Sequence, residues 1–293
     1  MPYPRQRFAQ HWLKDARVHQ AIVQAARLAE AGDPAQTTVL EIGPGTGQLT
    51  RRLLQMGVQV IAVEIDRDLC RLLHKQFADQ PRFQLIEGDF LQMPLPTAAS
   101  FVVANIPYNI TSPILEKILG SPAHPIHQFE RIVLLVQQEL AQRLTASVGS
   151  KAYGAMSLRM QYLADCQLIQ TVPARAFKPP PKVESAIISL APRPPAPPAL
   201  DPAWLETLLQ QGFAMRRKML LNTLQSLLPK SQLAPVFAGL SIEATVRAEQ
   251  LTLAQWIELS DRLLPLRQAF LHSASQPEPP QPTEEIGLAV ESG

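Results

Sequence analysis

The chain has 293 residues, 46% of them hydrophobic and 18% charged, which suits one large domain plus a small one built around a sizeable core. With 27 basic against 25 acidic residues the net charge is only +2, and a nucleic-acid face would need a local excess instead. Two distant cysteines exclude a disulfide framework and match no metal spacing, no apolar run approaches the ~20 residues of a membrane span, and the first fifteen residues do not read as a signal peptide, so a reducing, cytoplasmic setting with no membrane and no metal is expected.

In chain order, Ala16 to Glu30 has helical spacing and meets a stop signal at Gly32-Asp33-Pro34. Five short apolar runs follow, Val39–Ile42, Val60–Ile65, Phe83–Ile86, Phe101–Ala104 and Ile132–Val136. Between them lie helix-like segments such as Gln48–Gln55, Asp68–Phe77 and Pro113–Leu119. Strands alternating with helices at this spacing predict an α/β fold, a parallel sheet with helices on both faces. Tyr153–Leu163 reads as a further helix, and Leu168–Val172 and Ala186–Leu190 as two more strands.

Residues 191–200 open with a proline-dense stretch, Ala191 to Pro198, expected to be a stiff extended linker. Beyond it, Trp204–Leu228, Leu233–Leu240, Ile242–Arg247 and Leu253–Leu264 suggest a small all-α C-terminal domain over 201–270. Residues 271–293 are rich in proline and glutamate, the composition of a disordered tail. Basic residues concentrate in two places, Arg5, Arg7, Lys14 and Arg17 near the start and Arg216-Arg217-Lys218 past the linker. On a helix three consecutive residues fan out over about 200°, so at most two would face one groove.

The chemistry concentrates in the first 190 residues. Val39-Leu-Glu-Ile-Gly-Pro-Gly-Thr-Gly47 is an apolar strand running into glycines at 43, 45 and 47 and then a helix. Such glycines let the backbone turn tightly and approach a ligand closely. Glu64 closes the next strand, where an acidic side chain binds ribose hydroxyls, and Asp89 follows the third. A dinucleotide fingerprint wants its third glycine at position 48, which is Gln. The E-x-G-x-G-x-G form from Glu41 is similar to the S-adenosylmethionine methyltransferase pattern. That resemblance implies Asp89 as partner of the cofactor's adenine amino group, although an Asp at a strand end is also a common turn former.

After the fourth strand stands Asn105-Ile106-Pro107-Tyr108, which resembles the N-[LI]-P-[YF] motif of enzymes that methylate an exocyclic amino nitrogen of a base. Gln10-His11-Trp12-Leu13, Gly149 to Gly154, Phe177 to Ser185, Arg216 to Lys218 and Arg247-Ala248-Glu249 carry the same likeness, over about residues 5 to 265. Together they resemble the bacterial small-subunit (16S) rRNA adenine N6-dimethyltransferase family, whose fold is Rossmann-like and whose members also serve ribosome biogenesis. The resemblance implies a cytoplasmic enzyme of rRNA processing, with residues 1–190 as catalytic domain and 201–270 as helical RNA-binding domain. It implies cofactor contacts at His11, Leu13, Gly43, Gly45, Glu64, Asp89 and Asn105, and catalysis at Asn105, Ile106, Pro107 and Tyr108, with Phe177 as a second aromatic surface for the base. Arg216, Arg217 and Lys218 would hold RNA, and small-subunit rRNA within the assembling subunit would be the partner. Ala9 departs from the family's usual Gly, which bears on how the N-terminal segment is placed.

Three other readings compete. A nicotinamide-dependent oxidoreductase would share the glycine loop and Glu64 but leaves Asn105 to Tyr108 unexplained. A macrolide-resistance-type large-subunit rRNA methyltransferase shares every catalytic motif. A mainly non-catalytic RNA-binding assembly factor would be expected to have lost cofactor residues that are all present.

Overall fold

A computed structural model describes residues 11–274. Gln10, Ala9, Arg5, Arg7 and the sequence beyond residue 274, including most of the expected tail, lie outside the described residues. The elements in order are β1 (Trp12–Leu13), α1 (Ala16–Ala25), β2 (Thr38–Ile42), α2 (Gln48–Gln55), β3 (Gln59–Glu64), α3 (Arg67–Gln76), β4 (Phe83–Glu87), β5 (Phe101–Asn105), α4 (Thr111–Leu119), β6 (Arg131–Gln137) and α5 (Gln138–Leu144). They continue as α6 (Ala155–Leu163), β7 (Ala164–Val172), β8 (Phe177–Lys178), β9 (Ser185–Pro192), α7 (Pro202–Gly212), α8 (Leu220–Thr223), α9 (Lys230–Gly239) and α10 (Leu253–Ala274).

Seven strands form one sheet in the order β4-β3-β2-β5-β6-β9-β7, while β1 and β8 pair separately. The five strands from β4 to β6 are parallel, as the βα alternation predicts. One strand departs from the expected parallel arrangement: β9 runs antiparallel to both β6 and β7. No α-helix separates β7 from β9, and a parallel pair would need a crossover connection. Strand order reverses beside β2, whose neighbours β3 and β5 lead to opposite edges. Open α/β sheets bind ligands at such a switch point, beyond the carboxyl ends of the strands.

Alternate residues of the parallel strands point to opposite faces, and both faces are covered. Leu40, Val102 and Leu134 pack with Ile114 and Ile118 of α4, while Val39, Val103 and Val133 pack with Ile22 of α1 and Leu53 of α2. Each such side chain contributes roughly 1.5–3 kcal/mol on burial. Aspartates start the helices: Asp15 accepts from Arg17 N at 2.8 Å, and Asp201 from Trp204 N at 2.9 Å with Pro202 in the first turn. The core extends without a break from the sheet through Leu158 and Tyr162 of α6 into Leu205 and Leu208 of α7. Arg159 of α6 pairs with Glu206 of α7 at 2.7 Å, and Trp204 donates to Ser260 O at 3.1 Å.

Several element limits differ from the sequence expectation. The first helix ends at Ala25 because Arg27 takes the left-handed conformation (φ 50°), ahead of the Gly32 stop. Trp204–Leu228 is broken after Gly212, where a Cβ would meet the Trp256 ring at 2.4 Å, and residues 213–219 form a turn. Three consecutive charges there give a helix no apolar stripe to bury. Arg216, Arg217 and Lys218 therefore lie on an exposed turn and not on a helix. Ile242–Arg247 is also turn rather than helix, with Val246 O accepting from Leu220 N at 2.8 Å. The linker begins later than expected, since Ala191 and Pro192 finish β9, a strand end where a missing donor is tolerated.

Candidate active site

A cavity of about 290 Å³ opens at the carboxyl ends of β2, β3, β4 and β5, at the switch point. His11, Leu13, Gly43, Gly45, Glu64, Asp89 and Asn105 all line it, as do Ile106, Pro107 and Tyr108. Phe177 does not. It is 2% exposed, packed in the same apolar cluster as Leu13, and pairs in register with Leu13 across β1 and β8. An exposed second aromatic surface at Phe177 is therefore absent from this structure. Arg216, Arg217 and Lys218 lie away from the cavity wall.

The glycine loop is built by local necessity. Gly43 N extends the ladder to Val63 O at 2.9 Å. Gly47 stands at φ 76° before α2, and a Cβ there would come within 2.7 Å of the Phe77 ring, so both backbone and space require glycine. Gly45, at φ 59°, leaves room beside the Trp12 indole, which a Cβ would approach to 3.7 Å. That indole Nε1 is buried without a hydrogen-bond partner among the described residues.

Glu64 ties the loop to β3. One carboxylate oxygen accepts from Ile65 N at 3.0 Å and Asp66 N at 2.9 Å, and the other from Gly45 N at 3.2 Å. Burial raises its pKa, and these three amides pull it back. Asp89 accepts from Leu91 N at 2.9 Å with one oxygen, and the other has no partner among the described residues. Ile65, 47% exposed and on the cavity wall, is a flat apolar surface that motif reading passed over. Its signal was an isoleucine directly after the acidic strand end, where the chain turns to solvent.

Glu41, 1% exposed, also lines the cavity and accepts from Thr50 Oγ1 at 2.6 Å. Burial first, and the charge of Glu64 after it, push its carboxyl up to about 8. Between the ordinary carboxylate range and that value the folded protein holds a proton that the unfolded chain has lost, so stability falls as pH rises through this window. Glu41→Gln removes the titration. Its melting temperature should match wild type near pH 5 and exceed it increasingly towards pH 8.5, by up to about 1.4 kcal/mol per pH unit in stability. Parallel pH dependences for the two proteins in thermal melts would refute this.

At the mouth, Pro107 fixes the turn after β5. Its carbonyl accepts from Ile110 N at 3.3 Å and from Thr111 Oγ1 at 3.3 Å. The Ile106 carbonyl has no such partner among the described residues. The Asn105 amide nitrogen reaches His11 O in a long 3.5 Å contact, which leaves Asn105 Oδ1 as an available acceptor. Two acceptors beside an aromatic ring suit an amino group on a planar base.

Comparison with known proteins decides the family. The profile described as "Ribosomal RNA adenine dimethylase" matches residues 3–264. The chain belongs to that family. A relative from a Synechococcus strain, "Ribosomal RNA small subunit methyltransferase A", is 64% identical over 265 residues, 90% of this chain and 94% of its own. One of the same description from Rippkaea orientalis is 53% identical over 273 residues, 90% and 98% of the two chains. Among solved structures, a dimethyladenosine transferase from Plasmodium falciparum superposes with TM-score 0.73 at 26% identity, covering 88% of this chain and 98% of that one. The 23S rRNA methyltransferase ErmE gives 0.70 at 27%, covering 86% and 99%. These two neighbours share the Rossmann-like sheet with helices on both faces. Among the described residues, no helix is long and apolar enough to cross a membrane and no cluster of three His, Cys, Asp or Glu side chains suits a metal.

Proposed function

We propose that this chain transfers methyl groups from S-adenosylmethionine to N6 of two adjacent adenines in the 3′-terminal hairpin of small-subunit rRNA, in the cytoplasm and on the assembling subunit. The observation that carries the proposal is the single cavity lined by the Gly43 loop, Glu64 and Asp89 with Asn105 to Tyr108 at its mouth. Small-subunit specificity rests on the relatives at 53–64% identity, all described as acting on that subunit. ErmE, whose title names 23S rRNA, is less similar at 27%.

The cavity suits S-adenosylmethionine on its own chemistry. The Glu64 carboxylate would hold the ribose hydroxyls, the second oxygen of Asp89 the adenine amino group, and Ile65 the face of that adenine. The glycine loop, beside the orphaned Trp12 N–H, and His11, Leu13 and Asn105 would surround the amino-acid end. When bound, the cofactor supplies an electrophilic methyl group on sulfonium sulfur.

The chain's own part is to position the acceptor. An adenine amino nitrogen is a poor nucleophile because its lone pair is delocalised into the ring. Hydrogen bonds from its two N–H groups to Asn105 Oδ1 and the Ile106 carbonyl favour tetrahedral nitrogen and aim the lone pair at the methyl group. Tyr108 stacks on the extruded base. Its hydroxyl is held by Ser185 Oγ at 2.5 Å, and burial raises its pKa, so the ring stays neutral and fixed.

Residues 201–270 would hold the RNA. Arg216 is committed partly to the protein, since its Nη2 donates to Lys151 O at 2.8 Å and Tyr153 O at 3.0 Å. Phosphate contacts then fall chiefly to Arg217 and Lys218, both exposed. Replacing these two with Ala should weaken subunit binding and flatten its salt dependence by about one unit per lost contact, with cofactor affinity unchanged. An unaltered salt slope would place the RNA path elsewhere.

A transfer assay with methyl-labelled cofactor, offered unmodified small and large subunits in parallel, tests the whole. Label in small-subunit RNA alone supports the proposal. Label in large-subunit RNA would favour the macrolide-resistance type, and no label in either would overturn it.

A further inference from the structure

Outside the cofactor cavity, a groove of about 270 Å³ lies at the carboxyl end of β6, lined by Gln137, Gln138, Glu139, Gln142, Val183 and Glu184. It adjoins the place where the target base would enter. Gln137 pairs in register with Ser185 across β6 and β9, and Ser185 Oγ holds the Tyr108 hydroxyl at 2.5 Å. Asn105 stands level with Leu135 on β6. Gln137 is therefore one strand to the side, about 4.8 Å, and two residues further along at about 3.3 Å each. A base one nucleotide from the target reaches that far. The lining selects what fits. No lysine or arginine is among these six residues, and the carboxylates repel a phosphate, so the groove suits a base rather than backbone. The side-chain amides of Gln137, Gln138 and Gln142 have no hydrogen-bond partner among the described residues, and each presents two donors and a carbonyl acceptor. Glu139 is engaged by Arg143 at 2.5 Å, which leaves the Glu184 carboxylate as an acceptor. Gln138 N donates to Glu184 O at 3.0 Å and ties the two walls together, and Val183, 46% exposed, offers an apolar surface to a base face.

We propose that this groove seats the base next to the target and selects adenine there, through the glutamine amides and the Glu184 carboxylate. This rests on the reading of the chain as a methyltransferase of two adjacent adenines, and it names residues that read the pair. A glutamine amide matches adenine in a bidentate way, accepting from the amino group and donating to the ring nitrogen beside it. Glu184 supplies a second acceptor for the amino group. Guanine carries a carbonyl oxygen where adenine carries that amino group, so in the groove its oxygen would face a carboxylate that cannot donate. The groove lies on one side of the target, so it reads a neighbour in one direction along the strand only. Of the two adjacent adenines, one is therefore methylated with its partner in the groove, and the other is not.

The test uses the full chain and small subunits reconstituted from transcribed rRNA, with the native pair of adenines or with either one changed to guanine. With wild-type protein, one of the two changed substrates should lose about tenfold in kcat/KM at its remaining adenine, the scale of one bidentate contact. The other should stay near the native rate. A protein carrying both Gln138→Leu and Gln142→Leu should lose about tenfold on the native pair and no longer distinguish the two changed substrates. Glu184→Gln should instead raise the rate on the disfavoured guanine substrate severalfold, because an amide donates to the guanine oxygen. A merely structural role would not produce that gain. Cofactor Kd and melting temperature should be unchanged in all variants, and exposed Glu184 keeps the test open should the leucine protein fail to fold. Equal rates on the two changed substrates with wild-type protein would overturn the proposal. So would a difference between them that survives Glu184→Gln undiminished. Failure of the wild-type protein to methylate even the native pair would reject the underlying reading instead, a result separable from both.

Discussion

Asn105→Ala should slow methyl transfer to bound RNA by about a hundredfold or more while leaving RNA affinity nearly unchanged. The size follows from the role. Removing one preorganised group that acts on developing charge typically costs about 10²–10³ in rate. The asymmetry follows from geometry: Asn105 offers one acceptor at the cavity mouth, and its amide nitrogen makes only a long 3.5 Å contact to His11 O, so the fold loses little. An interaction realised mainly in the transition state lowers kcat and kcat/KM together. Single-turnover kinetics with saturating RNA measure it, and a rate near wild type would remove Asn105 from the mechanism.

The second large effect is expected at Glu64. Glu64→Ala should weaken cofactor binding roughly 10- to 100-fold, the range of a charge-assisted hydrogen bond at roughly 1.5–3 kcal/mol. The same substitution strips an acceptor from Gly45 N, Ile65 N and Asp66 N, so the glycine loop loses its tie to β3. Glu64→Gln separates the two causes. Its single oxygen can keep the Ile65 and Asp66 amides, yet it has no charge for the ribose hydroxyls. Calorimetry should show Glu64→Gln also well below wild type, with a melting temperature closer to wild type than that of Glu64→Ala. Unchanged cofactor affinity in the folded glutamine variant would refute the placement.

What the sequence revealed divides along physical lines. The central parallel strands were legible because buried strands read as near-continuous apolar runs, as in Ile132–Val136. The cavity wall was legible because its parts stand at the ends of the parallel strands in chain order, Gly43 after β2, Glu64 closing β3, Asp89 after β4 and Asn105 closing β5. Local pattern does not encode strand direction, so the antiparallel β9 was hidden. Two-residue strands such as β1 and β8 have no period to detect, yet their pairing is what buries Phe177 and brings His11 to the cavity. The basic turn at 216–218 was misplaced on a helix because its break depends on Trp256 packing against Gly212 from some forty residues away. Propensity yields there to a tertiary contact.

The central claim concerns where the methyl groups go. Unmodified small ribosomal subunits would be incubated with the protein and methyl-labelled S-adenosylmethionine, and the RNA digested and its labelled nucleosides identified and mapped by mass spectrometry. The account predicts N6,N6-dimethyladenosine at two adjacent adenines of the 3′-terminal hairpin, strongly diminished at equal times when Asn105→Ala replaces the wild-type protein. Label at any other base, on ring nitrogen or ribose, or undiminished with Asn105→Ala, would contradict it.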